Sequence, residues 1–269
     1  ESTGEDPYLN SRFCEAQIHG FQGDDMKEDG KVCGCIKHFA GYGGAEAGRE
    51  YNTVQVSEHT FREYYLPSYE AGIKAGAGMV MTSFNTVNDI PATINQKLMR
   101  QMLREEMGFD GEVLADYGAI SNQHKFQGLY ESMDQAGYAS IRAGMDVELP
   151  MREAYNDDFI AKFKSGEYDM EYLDRAVKLA LTAKFRQGLF EHPFAYTGLE
   201  LEKKFYGNAE EDKKISLQSA RESMVLLKND GTLPIKNHTK KIVLVGPQAK
   251  NARFFFGGYT HLSMAEAPF

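Results

Sequence analysis

Along the first two-thirds of the chain the spacing of apolar residues changes repeatedly, and each change marks an element. Lys31 to Phe39 (KVCGCIKHF), Gly78 to Phe84 (GMVMTSF), Glu112 to Asp116 (EVLAD) and Met145 to Leu149 (MDVEL) are short apolar runs, the pattern of buried strands. Pro150 stops the last of them. Helical stretches lie between these runs. Ser57 stands at the N-cap of one that runs through Arg62, Tyr65 and Tyr69. Asn95 caps the next, which carries Leu98, Met102 and Leu103 on one face and ends at Gly108. A third ends near Ala143. Two more, Glu153 to Lys164 and Met170 to Gln187, follow the fourth strand, with Gly188 as terminator.

Strands separated by helical crossovers of this length imply a parallel sheet in an α/β fold. A closed eight-stranded barrel takes about 250 residues, whereas the pattern changes here after four strand–helix units. It therefore fits either a small open sheet or the second half of a barrel. From about Glu191 to Gly207 the periodicity is lost, and Pro193 with mixed charge marks a linker. A helix over Ile215 to Leu227, a turn at Asn229-Asp230-Gly231 and a β-branched strand over Lys241 to Pro247 then open a second α/β domain.

Composition narrows the function more than the fold. With 42% hydrophobic and 26% charged residues, the 269-residue chain is of ordinary globular type. A net charge of −9 argues against a nucleic-acid partner, which needs a basic patch. No apolar run approaches the roughly 18 residues that span a bilayer, so no membrane segment is expected. The first residues lack the basic and apolar regions of a leader and read as the middle of a longer protein. Three cysteines cannot all pair within the chain. Cys33 and Cys35, near His38, raise a metal site, but the second ligand pair of a structural zinc centre is missing. The expectation is no metal, no cofactor, and small thiols in a reducing compartment, which favours the cytoplasm.

Reactive side chains in parallel α/β folds gather where strands end and loops begin. The first strand ends in Lys37-His38, the second in Ser83-Phe84-Asn85 and the third in Asp116-Tyr117-Gly118. A carboxylate at the tip of an apolar strand is costly to bury unless it is hydrogen-bonded or used. Lys37, His38 and Arg49 are candidates to surround Asp116 with cations and donors and hold it ionised. Such a carboxylate suits attack on an anomeric carbon. From the residues alone, a strand-terminal Asp such as Asp116 is more often a helix cap or turn former than a nucleophile, His38 reads also as a core histidine and Lys37 as an ion-pair partner.

The motifs change that weighting. Lys37-His38-Phe39-Ala40-Gly41-Tyr42-Gly43, continuing through Gly48-Arg49-Glu50-Tyr51-Asn52, resembles the substrate-binding segment of glycoside hydrolase family 3 β-glucosidases. Met81-Thr82-Ser83-Phe84-Asn85, Pro91-Ala92-Thr93 and Gly108-Phe109-Asp110-Gly111 follow in that family's order. Val113-Leu114-Ala115-Asp116-Tyr117-Gly118-Ala119-Ile120 resembles its nucleophile segment. Ala143-Gly144-Met145-Asp146 and the run from Ala220 to Asn229 complete the series. Each piece is weak alone, but the ordered set is specific and covers nearly the whole chain.

The resemblance implies the C-terminal half of a (β/α)8 TIM-like barrel at residues 1–190, a linker at 191–212, and the beginning of an α/β sandwich domain at 213–269. It implies a retaining, exo-acting β-glycosidase of the β-glucosidase or β-xylosidase branch. Asp116 would be its nucleophile, and Lys37, His38, Arg49, Phe84 and Tyr117 would contact substrate. The family's acid/base Glu would lie downstream of Phe269, and two more sugar contacts upstream of Glu1. The histidine-containing acid/base loop of the N-acetylglucosaminidase branch is replaced here by Gly44-Ala45-Glu46-Ala47. Expected partners are a β-linked oligosaccharide or glycoside, the remaining parts of the enzyme, and a second copy in a homodimer. Phe84 stands where many members carry Tyr, Tyr117 where many carry Trp, and Asp89 where a turn Gly is usual. A non-catalytic sugar-binding protein and a glycoside phosphorylase are the alternative readings.

Overall fold

The apolar runs become parallel strands in the computed structural model, which describes residues 3–194, 199, 202–203 and 209–251. The chain divides into two compact units, Glu1–Phe205 and Tyr206–Phe269. Helix α1 (Pro7–Gln22) opens the first unit, with Asp6 capping it by accepting from the Tyr8 N–H. This helix was not anticipated from the sequence, because its apolar residues are sparse and several of them, such as Tyr8 and Phe13, stay exposed. Its last residue, the buried Gln22, ties it to the sheet. The Gln22 amide donates to the Gly76 carbonyl and accepts from the N–H groups of Gly34 and Gly78.

Strands β1 (Cys35–Phe39), β2 (Met79–Thr82) and β5 (Glu112–Leu114) form a parallel sheet in the order β1-β2-β5. β1 is shorter than the apolar run Lys31 to Phe39 suggests. The fourth expected strand, Met145 to Leu149, lies beside β5. It pairs as an isolated parallel bridge between Val147 and Leu114, extended by the Ala115 N–H donating to the Val147 carbonyl. Four parallel segments in chain order, each followed by helix, make a partial (β/α)8-type barrel. Ile36, Phe39, Val80, Val113 and Met145 are buried along them, and full burial of each such side chain contributes about 1.5–3 kcal/mol. β2 and β5 approach so closely at their starts that a Cβ on Gly111 would fall 2.2 Å from the Gly78 carbonyl oxygen.

The crossover after β1 is one expected helix broken in two. Ser57 caps it as anticipated, its hydroxyl accepting from the Thr60 N–H at 3.1 Å. It runs as α2 (Glu58–Thr60) and a wide, π-type stretch (Phe61–Tyr65), then restarts as α3 (Pro67–Lys74). Pro67 has no N–H to continue the ladder but suits a first helical position. After β2, the short strands β3 (Thr86–Val87) and β4 (Ile90–Pro91) make an antiparallel hairpin. Asn88 and Asp89 occupy its turn with φ of +48° and +70°, the left-handed conformations that explain why glycine is usual there. Asn95 caps the wide helix Lys97–Glu106 by accepting from the Leu98 N–H.

α4 (Asn122–Lys125), α5 (Met133–Ala143), α6 (Asp157–Ser165) and α7 (Met170–Arg186) complete this unit. α6 starts later than the expected Glu153 because the Glu148 carboxylate captures the N–H groups of Glu153, Ala154 and Tyr155 at 2.8–3.1 Å. Those residues therefore stay a loop, and Asn156 caps the helix instead.

In the second unit a helix spans Ala209–Glu222, six residues earlier than the expected start at Ile215. The Asn229 turn forms, its side chain bonded to Gly231 and Leu233. The expected strand Lys241 to Pro247 does not: Ile242, Val243, Leu244 and Val245 are exposed and belong to no strand. A strand needs a neighbour, and none pairs with it among the described residues. Much of the expected linker, at 195–198, 200–201 and 204–208, and the end of the expected sandwich segment, at 252–269, lie outside the described residues.

Candidate active site

Parallel pairing aligns the strand ends, and that alignment assembles the site. Phe39 is in register with Thr82, and Met81 with Leu114, so the residues that follow emerge at one rim. β1 buries Ile36 and Phe39, exposes Lys37 and leaves His38 half-buried, and its pairing with β2 shifts register between Ile36 and Phe39, so strict alternation is broken there. β1 is fixed from behind by Tyr69, whose hydroxyl donates to the His38 carbonyl and whose ring meets Phe39 edge-on at 5.0 Å.

At the end of β5, Asp116 is 9% exposed. Its Oδ1 accepts from the Tyr117 N–H at 2.7 Å. Its Oδ2 lies 3.4 Å from His38 Nε2, a contact longer than the usual N–H···O hydrogen bond. The Asp116 carbonyl accepts from the Ala119 N–H, so the residue also shapes a turn, as the plain reading of the sequence allowed. The Gly118 N–H donates to the Leu149 carbonyl, which fastens this turn to the fourth parallel segment. Burial lowers the His38 pKa below its ordinary 6.5; Asp116 pulls it up and Lys37 pushes it down. His38 is therefore neutral at pH 7 and can donate one ring N–H. Burial also pushes the nearby Cys35 thiol up to about 11, which keeps it protonated and a poor nucleophile.

Phe84 follows the central strand β2. Asn85 and Ser83 beneath it donate to the Ala40 carbonyl. The Phe84 ring meets Tyr51 at 4.6 Å and Tyr42 at 6.3 Å, and Tyr42 meets His38 at 5.3 Å. The Tyr42 hydroxyl donates to Glu50 at 3.0 Å, and burial together with that bond raises its pKa. Tyr117 is 62% exposed beside the carboxylate.

Of the anticipated residues, Asp116, His38 and Phe84 thus come together at one rim, Tyr117 flanks them, and Lys37 acts on His38 from an exposed position. Arg49 is exposed on the loop after β1, and among the described residues no contact joins its guanidinium to Asp116. Tyr42, Glu50 and Tyr51 had no role assigned from the sequence. Their signal was their place in the loop after a rim strand, but the meeting with Phe84 depends on how that loop folds back. The described residues contain no cluster of three or more His, Cys, Asp or Glu fit to hold a metal.

Comparison with known proteins places this geometry. The chain is 37% identical to a periplasmic β-glucosidase of Salmonella typhimurium over 268 residues, covering 98% of this chain and 35% of that protein. It is 31% identical to a β-xylosidase of Formosa agariphila, covering 97% of this chain and 38% of the relative. A crystal structure of a β-glucosidase from Listeria innocua superposes with a TM-score of 0.81 at 40% identity, covering 87% of this chain and 32% of the other. The chain therefore spans about a third of the length of the proteins it matches. The model of the glycosyl hydrolase family 3 N-terminal domain matches residues 1–183, and the chain belongs to that family.

Proposed function

We propose that the full protein is a retaining, exo-acting β-glycosidase that removes terminal β-linked glucose or xylose from oligosaccharides or glycosides. The observation that carries this is the position of Asp116: a carboxylate withdrawn from water at a strand end, one oxygen pinned by the Tyr117 N–H and the other facing neutral His38. A carboxylate so held is oriented before substrate arrives, and its attack needs little reorganisation. In the first step Asp116 forms a bond to the anomeric carbon as the glycosidic C–O bond breaks. A carboxylic acid about 5–5.5 Å away gives its proton to the departing oxygen. In the second step that group, now a carboxylate, takes a proton from water, which displaces Asp116 and frees the sugar. The second carboxyl group is assigned to a part of the protein outside these 269 residues. His38 and Lys37 lie where they can donate to sugar hydroxyls. Relatives of both kinds support the reading, a β-glucosidase at 37% identity and a β-xylosidase at 31%.

The test is labelling of the full protein with activated 2-deoxy-2-fluoro glucoside and xyloside, followed by peptide mapping. The expected result is one sugar mass added to the peptide holding Asp116, faster with the preferred sugar. A label on another carboxylate would move the nucleophile. Binding of sugar without label or turnover would favour a non-catalytic protein, and phosphate-dependent release of a sugar 1-phosphate would favour a phosphorylase.

A further inference from the structure

The loop after β1 holds an aromatic residue in a conformation that aromatic residues avoid. Tyr51 has φ of +65°, where a bulky side chain is a genuine outlier that its surroundings must impose. The surroundings are visible. The Asn52 N–H and amide donate to the carbonyls of Arg49 and Glu46, and the Thr53 carbonyl accepts from the Glu46 N–H. The bond from Tyr42 to Glu50 closes the same loop from inside. What this arrangement achieves is to set the Tyr51 ring against Phe84 at 4.6 Å and 58°.

Covering Phe84 does not account for it, since Tyr51 is itself 57% exposed. A ring kept mostly in water gains little from burial and offers a face to something else. The aromatic series runs without a gap from that face to the reacting carboxylate: Tyr51 on Phe84, Phe84 on Tyr42, Tyr42 on His38, and His38 3.4 Å from Asp116. Phe84 lacks a hydroxyl, so it offers a ring face rather than a donor.

We propose that Tyr51, backed by Phe84, is the platform for the leaving group, and that it selects glycosides whose leaving group is itself a flat ring with an apolar face, aryl glycosides above all. This rests on the glycosidase reading. Tyr51 is a specificity residue here and takes no part in bond making.

The test compares phenyl and methyl β-glycosides of the preferred sugar on the full protein, as substrates and as non-cleavable 1-thio inhibitors. Tyr51→Ala is expected to weaken the phenyl thioglycoside about five- to tenfold more than the methyl one, the value of one aromatic contact. The phenyl-to-methyl ratio of kcat/KM should fall with it. Tyr51→Phe keeps the ring and should keep the ratio. Tyr51→Asn removes the ring while tolerating positive φ, so it repeats the test if the alanine variant folds poorly. Equal weakening of both inhibitors, or an unchanged ratio, overturns the platform and leaves the glycosidase reading standing. A wild-type protein that neither cleaves nor binds either glycoside removes that reading, and the platform with it.

Discussion

Asp116 and Asp146 are withdrawn from water to nearly the same degree, at 9% and 6% exposed. They sit at opposite ends of the same parallel strands. Asp146 is at the start of the fourth segment, where its Oδ2 accepts from Arg104 Nη2 at 2.9 Å and from the Val113 N–H at 2.9 Å. Arg175 Nε lies 3.7 Å from its other oxygen, and Arg175 also reaches the carbonyls of Ile141 and Met145. Arg104 in turn donates to the carbonyls of Phe109 and Gly111. Every one of those partners belongs to the frame: the wide helix after β4, β5, α5 and α7. Asp116 has one backbone donor and one neutral imidazole, with exposed Tyr117 beside it. The lesson is that burial alone does not mark a reacting group. A carboxylate surrounded by guanidinium groups is committed to holding the frame, while one with an oxygen turned to a neutral donor at the open rim remains usable.

The contrast breaks most sharply under mutation. Asp116→Asn keeps the shape of the side chain and removes the proposed nucleophile. It should lower kcat of the full protein on the order of 10⁴-fold or more, while thermal melting changes by no more than about 1 kcal/mol. Asp146→Ala should do the reverse. Leaving Arg104 and Arg175 without their carboxylate should destabilise the protein by about 3–5 kcal/mol, measured by denaturant unfolding, while the fraction that remains folded still accepts the fluoroglycoside label. A loss of label at normal stability would erase the distinction between the two aspartates.

A subtler separation comes from pH. Burial gives His38 a folded pKa below 6.5, so the folded protein holds that proton less tightly than the unfolded chain. The stability contributed by neutral His38 is full above the unfolded value and falls as pH drops through the folded one. The wild-type melting temperature should therefore decline below pH 6.5 more steeply than that of His38→Gln. Parallel slopes would place the titration elsewhere. The smallest effect is at the hairpin, remote from both carboxylates. Asp89→Gly relieves a φ of +70° but loses the bond from Gln55 at 2.6 Å. The two nearly offset, and a gain of about 0.5 kcal/mol or less is expected in melting.

Much of this was legible in the residues. The four apolar runs, the caps at Ser57 and Asn95, and the stops at Gly108 and Gly188 are local signals, and the structure honours them. The errors have one physical source: each needed knowledge of a partner outside the segment being read. The loop at Glu153 to Tyr155 is unreadable without knowing that Glu148 takes its N–H groups. α1 is held by Gln22 bonding to glycines at 34, 76 and 78 rather than by a clear apolar stripe. The run Lys241 to Pro247 has the composition of a strand but no described neighbour with which to be one.

The sequence by itself determined the period of each element, the residues at the strand ends and the ordered motifs that carry the family, because these depend on near neighbours and on residue type. Only the tertiary structure decided which polar residues share a rim. It brought Phe84 and His38 to Asp116 from 32 and 78 positions earlier in the chain by aligning parallel strand ends, whereas Arg49 stayed exposed on its loop. It also turned Tyr51 onto Phe84 through a loop whose hydrogen bonds hold a backbone conformation that no local preference would choose.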